Sequence, residues 1–297
     1  MRVIVTFTLV MLTVQPLLAH EGGAIPADVW THWNLNPLLL IVVMLPLTLY
    51  VRGAVTYPVQ QWRNAAFTAG IATLFVALIS PLDAISGSLF SAHMVQHLLL
   101  VLVAAPLFTL CRPLPSLLRG LPAQGRKAFG NVAYDSLVRV LWWRLTRPLN
   151  ALLLHIAALL VWHLPGLYGL ALDQPVIHVL EHASFFLTAA LFWWTIRSAD
   201  DYGVRVLCVF AVMMVSGLLG ALMTFANTAW YQDHEPYVAF WGLTLLEDQQ
   251  LAGLFMWIPT GFIYIVTAAL LLGLWLGAVE RRVTEREHRL AKEMSDE

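Results

Sequence analysis

Seven apolar stretches, at approximately 36–51, 63–82, 87–111, 148–165, 174–196, 203–226 and 249–278, leave little polar sequence between them. Each is close to the ~20 residues a helix needs to cross about 30 Å of hydrocarbon. In lipid every backbone N–H and C=O must be satisfied within the segment, so each is expected to be a helix. Composition agrees, because 59% of the 297 residues are apolar and only 12% are charged. Soluble domains carry about 45–50% and roughly 25%. So little charge cannot solvate a water-soluble surface of this size, which excludes a cytoplasmic enzyme, a nucleic-acid binder and a secreted disulfide scaffold. The expected fold is all-α and integral to the membrane: a seven-transmembrane helix bundle, following an N-terminal signal peptide.

The signal peptide is read over 1–19, where one Arg, an apolar run and Leu-Leu-Ala precede a cleavage point after Ala19. Leu17, three residues before that point, is bulkier than the small residue preferred there, so an uncleaved anchor is the alternative. Residues 20–35 then form an extracytoplasmic segment, 36–278 the membrane domain and 279–297 a charged cytoplasmic tail that continues the last helix. Basic residues set the direction. Sixteen of the 17 Lys and Arg residues fall in alternate connections and the tail, and the remaining connections contain none. The N-terminus is therefore expected outside and the C-terminus inside. The 112–147 loop, with its basic residues and Trp142-Trp143, reads as an interfacial helix on the cytoplasmic surface.

Placed on this topology, eight of the ten histidines fall at or near the outer face. His93 and His97 in HMVQH, and His178 and His182 in HVLEH, are each four residues apart. On a helix such a pair projects from one face, a turn apart. Neutral imidazole is the commonest protein metal ligand, and two facing pairs offer four nitrogens. Polar groups within spans are costly and usually functional, so the pairs read as ligands, with Glu181, Asp83 and Asp248 as groups that orient the rings. His163 closes the fourth stretch at the same side. Met94, Met223 and Met256 lie at similar depth; thioethers suit Cu(I), although Met also fills gaps in apolar packing. His20 would become the N-terminus after cleavage, an amine–imidazole chelate suited to Cu(II). His155, alone in mid-span, reads as a hydrogen-bonded packing residue. Cys111 and Cys208 form no Cys-x-x-Cys motif and read as reduced structural thiols. Glycine-rich phosphate loops and Gly-x-Ser-x-Gly elbows are absent.

Three runs carry a family resemblance: SPLDAISGSLFSAHMVQHLLLVLVAAPLFTLCRPLP, WHLPGLYGLALDQPVIHVLEHASFFLTAALFWW and LLEDQQLAGLFMWIPTGFIYI. In this order, over roughly 30–278, the chain resembles the multi-span cytochrome c oxidase assembly factor family, CtaG-like, which is distinct from the single-span copper chaperone of the same name. The resemblance implies a bacterial plasma-membrane protein that helps build a haem–copper oxidase at the copper-insertion stage. Its implied partners are an oxidase subunit and a periplasmic copper donor. Carried over by position, the family's marked residues are Asp83, His93, His97, His163, His178, Glu181, His182, Asp248 and Gln249. One departure is Gly169 in LYG, where many relatives are expected to carry an acidic residue; Asp173 is nearby.

The leading expectation is thus a non-catalytic protein that holds copper through His93, His97, His178 and His182. His163, Glu181, Asp83, Asp248, Met94 and Met256 would shape or feed the site. Two alternatives use the same residues. A seven-span zinc hydrolase would combine histidines, Asp83 and a metal-bound water. A b-type cytochrome would take one axial histidine from each of two helices.

Overall fold

The computed structural model describes residues 24–295, with side chains as far as residue 287. The expected signal peptide and His20 lie outside the described residues. Those described are helical and connected by short turns, with no strand among them. Proline and polar caps set many of the helix starts. Pro37, Pro81, Pro148, Pro165 and Pro175 each stand at the first turn of a helix, where the missing N–H would have had no partner. Asn36, Ser80 and Asp201 cap the following helices through side-chain oxygens that accept from Leu38 N (2.8 Å), Leu82 N (3.2 Å) and Gly203 N (2.8 Å).

In chain order the helices are α1 (Pro37–Thr56), α2 (Gln61–Leu78), α3 (Pro81–Ser86) and α4 (Phe90–Leu98). A π-helical turn, Leu99–Ala104, joins α4 to α5 (Ala105–Cys111) without a break. Three further helices follow: α6 (Leu114–Gly120), α7 (Ala123–Tyr134) and α8 (Ser136–Leu145). The remainder are α9 (Pro148–Trp162), α10 (Pro165–Asp173), α11 (Pro175–Ser198), α12 (Tyr202–Thr224), α13 (Glu235–Val238) and α14 (Leu245–Ser295).

Five helical segments are long and apolar enough to cross a membrane: α1, Phe90–Cys111, α11, α12 and the Leu245–Glu287 part of α14. A sixth appears only if α8 and α9, bent by 76° at their junction, are counted together. The expected seven therefore do not all emerge from length and composition. The stretch at 63–82 becomes α2, whose first turn is Gln-Trp-Arg-Asn. The stretch at 148–165 becomes α9, whose 15 residues reach only about 22 Å. The 51-residue α14 runs about 77 Å, so the tail does continue the last helix.

Large apolar side chains such as Leu187 (62% exposed), Phe262 (67%) and Leu270 (65%) point away from the bundle, which suits a lipid environment. The interior has three apolar clusters. One gathers Val101, Phe185, Phe192, Trp193, Val209 and Tyr264 from the π turn, α11, α12 and α14. A second joins α1 and α2 to α5 through Tyr50, Phe67 and Cys111. A third, beneath the loops at one end, contains Phe90, Met94, Tyr168, Met223, Tyr231 and Met256. α12 and α14 cross at Gly220 and Gly253. A Cβ on Gly220 would meet Gly253 O at 2.8 Å, and one on Gly253 would meet Gly220 O at 2.5 Å. Small residues at such crossings let membrane helices approach backbone to backbone.

Candidate metal centre

The two histidine pairs meet where α4 packs beside the first turns of α11. His93 is fully buried, and His97 and His178 are nearly so. Ring centroids lie 4.3 Å apart for His93–His97 and 4.2 Å for His178–His182. Across the helices the separations are 5.5 Å for His93–His178, 5.8 Å for His93–His182 and 5.1 Å for His97–His182. The i,i+4 spacing thus does place each pair on one face, and the two faces look at each other.

Glu181 lies in the middle of this group and is itself fully buried. Its Oε2 is 3.5 Å from His93 Nε2 and its Oε1 is 3.7 Å from His97 Nε2. Neither carboxylate oxygen has a hydrogen-bond partner. A buried carboxylate without hydrogen bonds is costly unless a cation accompanies it. One donor atom each from His93, His178, Glu181 and His182 falls within 4.8 Å of the others. Metal–nitrogen bonds of about 2.0–2.1 Å hold tetrahedral donors roughly 3.3 Å apart, so the widest pair would close by about 1.5 Å around an ion. Three imidazoles and one carboxylate are a donor set that copper and zinc both accept. Glu181, expected to orient the rings, stands among the donors, and His97 borders them through its contact with the Glu181 carboxylate.

The other predicted residues take different places. Asp83 is not one of the four clustered groups; it accepts from Asn34 Nδ2 at 2.7 Å and Gln96 Nε2 at 2.9 Å. Gln96 also donates to Ala77 O at 2.6 Å, so Asp83 fixes the helix between the two histidines of HMVQH. Asp248, on α14, accepts from Phe90 N at 2.7 Å and Ser91 N at 3.0 Å. It caps the first turn of α4 from another helix, two to three residues before His93. Gln249 accepts from Trp230 N at 2.6 Å, tying the α12–α14 connection to α14. His163 donates from Nδ1 to Leu159 O at 2.6 Å, which leaves Nε2 facing the interior without a hydrogen bond. With His97, Met94 and Met256 it lines a cavity of about 30 Å³ next to the donors. His155 bonds Thr188 Oγ1 at 3.0 Å and stacks on Phe192, a packing role.

Two further residues support the cluster, Tyr168 and, from the eight histidines read at the outer face, His234. Tyr168 packs its ring edge-on against His93, with centroids 5.1 Å apart. Its hydroxyl lies 2.6 Å from Nε2 of the buried His234. His234 Nδ1 is 3.2 Å from Gly87 O, an acceptor only, so Nδ1 carries the proton and Tyr168 donates to Nε2. Burial lowers the His234 pKa to about 4 and keeps the ring neutral, as this tautomer requires. Tyr168 follows His163 in HLPGLYG, ten residues before HVLEH, and its aromatic character is the available signal. At the neighbouring Gly169, Asp233 Oδ1 comes within 2.7 Å of where a Cβ would stand. A carboxylate therefore lies beside this position, supplied by the α12–α14 connection.

Fold and site together define a class: a polytopic helical membrane protein with a buried histidine–glutamate cluster at one end of its bundle. The chain belongs to the cytochrome c oxidase caa3 assembly factor family (Caa3_CtaG), whose profile matches residues 47–278. It is similar to uncharacterised proteins of Mycobacterium bovis and Mycobacterium tuberculosis, each 27% identical over 281 residues that cover 89% of this chain and 42% of theirs. An uncharacterised protein of Mycobacterium leprae is 24% identical over 283 residues, 88% of this chain and 42% of its own. This chain thus spans less than half the length of these relatives. No solved structure matches it.

Proposed function

We propose that this protein receives copper at the His93–His178–Glu181–His182 cluster and passes it to a haem–copper oxidase during assembly. The supporting observation is the convergence of four donor atoms, buried and within 4.8 Å of one another, around a carboxylate that has no hydrogen bond. Copper is the cargo on this reading. His97 would act as an exchange ligand, since it contacts Glu181 at 3.7 Å and also faces the cavity shared with His163, Met94 and Met256. Imidazole followed by thioether suits a Cu(I) route away from the cluster. Asp83 supports an assembly role over zinc hydrolysis, because its carboxylate accepts from Asn34 and Gln96 and is not among the four clustered donors.

The remaining parts of this reading rest on the sequence. Seven spans, with α2 and α9 included, place the N-terminus outside and the basic connections inside the bacterial plasma membrane. The cluster then faces the periplasm or cell exterior, within reach of a periplasmic copper donor. The test is metal analysis of protein purified without oxygen. About one copper per chain is expected, with loss of that copper when His93, His97, His178 and His182 are all replaced by Ala. Unchanged stoichiometry in the quadruple variant would refute the site. Zinc occupancy together with lipid-amide hydrolysis would replace the reading by the hydrolase.

A further inference from the structure

A second, larger cavity runs along α11 towards the other end of the bundle, from Phe186 to Ser198. Its Arg197 follows His182 by 15 residues, about 22 Å along the helix. The cavity has a volume of about 910 Å³ and opens between α1, α2, α5, α6, α8 and α11. Ligand pockets commonly measure 300–1,000 Å³. Its walls are mainly apolar, with Phe67, Phe108, Phe186 and Leu187 among them, and Trp142 and Trp194 meet edge to face at one side, centroids 5.4 Å apart.

Arginines gather at one end of this apolar slot. Arg112 and Arg197 line it, and the charges of both Arg112 and Arg63 bear on Arg197. The Nε atoms of Arg63 and Arg197 are buried without a hydrogen bond. Among the described residues none of the three arginines has a carboxylate within ion-pair distance. The nearby Asp201 carboxylate is occupied in capping α12. Arg112 adopts a left-handed backbone conformation, φ 50°, which ends α5 and which residues with a Cβ rarely adopt. Like charges brought together without a counter-ion destabilise one another, and planar guanidinium groups are suited to binding phosphate by two hydrogen bonds.

We propose that this cavity binds an anionic glycerophospholipid, with an acyl chain along the Phe108–Phe186–Leu187 wall and the headgroup phosphate on Arg112 and Arg197. The occupant is taken as a lipid, and not a free anion, because the cationic end continues into an apolar slot open to the surface that carries exposed Leu187. The proposal is independent of the metal reading, since no histidine of the cluster lines this cavity.

The test uses the full chain in detergent, titrated with phosphatidylglycerol or phosphatidylcholine of the same acyl composition and read by native mass spectrometry. Both lipids offer the phosphate, but phosphatidylcholine also brings a choline cation against Arg112 and Arg197, so phosphatidylglycerol is expected to bind about tenfold more tightly. Arg197→Gln should remove that preference. Arg112→Gly should do the same, and glycine accepts the φ of this position, so its effect is free of backbone strain. Ala190→Trp, which fills the slot and keeps both arginines, should weaken both lipids. Helix content and unfolding temperature check that each variant is folded. Equal binding of the two lipids by the parent chain would overturn the proposal. So would a retained preference in both folded arginine variants, or unaltered binding in Ala190→Trp. Equally effective competition by inorganic phosphate would assign the arginines to a free anion. Displacement of the lipid only by an apolar helical peptide would assign the slot to a protein partner.

Discussion

Replacement of Asp248 by Ala should loosen the helix that carries His93 and His97. The carboxylate accepts two backbone N–H groups at 2.7 and 3.0 Å, both bonds buried, and Asp248 itself is 1% exposed. Each N–H left unpaired in the interior costs about 1–3 kcal/mol, so the pair amounts to about 2–6 kcal/mol. Asp248→Asn retains one acceptor and should cost about half as much. The assay is hydrogen exchange at the Phe90 and Ser91 amides, with thermal unfolding in detergent alongside it. Even 2 kcal/mol corresponds to an exchange rate about thirtyfold higher. The neighbouring Glu247 supplies the control. It is exposed and bonds only Thr244, through its N and Oγ1, both at 2.8 Å, so Glu247→Ala should leave those amides unchanged. If Asp248→Ala and Glu247→Ala gave the same exchange at Phe90 and Ser91, the capping argument would fail.

Other expectations concern packing and pH. Gly220→Ala places a Cβ 2.8 Å from Gly253 O and should destabilise the α12–α14 crossing by about 1–3 kcal/mol; Gly220→Leu should prevent accumulation of folded protein, measured by monodisperse yield in detergent. Burial holds the His234 pKa at about 4, whereas the unfolded ring titrates near 6.5. The unfolded state therefore binds the extra proton first, and stability present above pH ~6.5 is lost as pH falls towards 4, by up to about 3 kcal/mol. His234→Gln should flatten the dependence of unfolding temperature on pH in that window, and an unaltered slope would exclude His234 as the source. Copper loss in the quadruple histidine variant, with phosphatidylglycerol binding retained, would show the two ends of the bundle to be separate sites.

The histidine cluster was legible because its key relation is local. Four-residue spacing in HMVQH and HVLEH fixes a common face, and apolar flanks fix the helices that carry it. What these faces meet is a long-range property. The bonds from Phe90 and Ser91 to Asp248 cross 158 and 157 residues, and no local pattern marks an aspartate as a cap for a distant helix. Glu181 was recognised, but its position among the donors follows from the rotation of α11 against α4. The π turn at Leu99–Ala104 carries only apolar residues, so its sequence does not distinguish it from an ordinary helical turn. Span number was less legible than the apolar stretches suggested, because α2 begins with polar residues and α9 stops short at His163. The arginines of the 112–147 loop indicated a surface; the cavity arises only when Arg112 is brought beside Arg197 and the aromatic wall of α11.

α14 follows both histidine-bearing helices in chain order, which gives the site an order of completion. During synthesis the N-terminal parts of a protein are available first, so both histidine pairs emerge before residue 245. Asp248 to fix α4, Gln249 to anchor the preceding connection and Met256 to line the cavity all arrive with α14. A nascent chain that stops before α14 would carry every histidine of the cluster without the groups that hold it in place. The cluster's donors are thus laid down before α14 supplies the contacts that fix them.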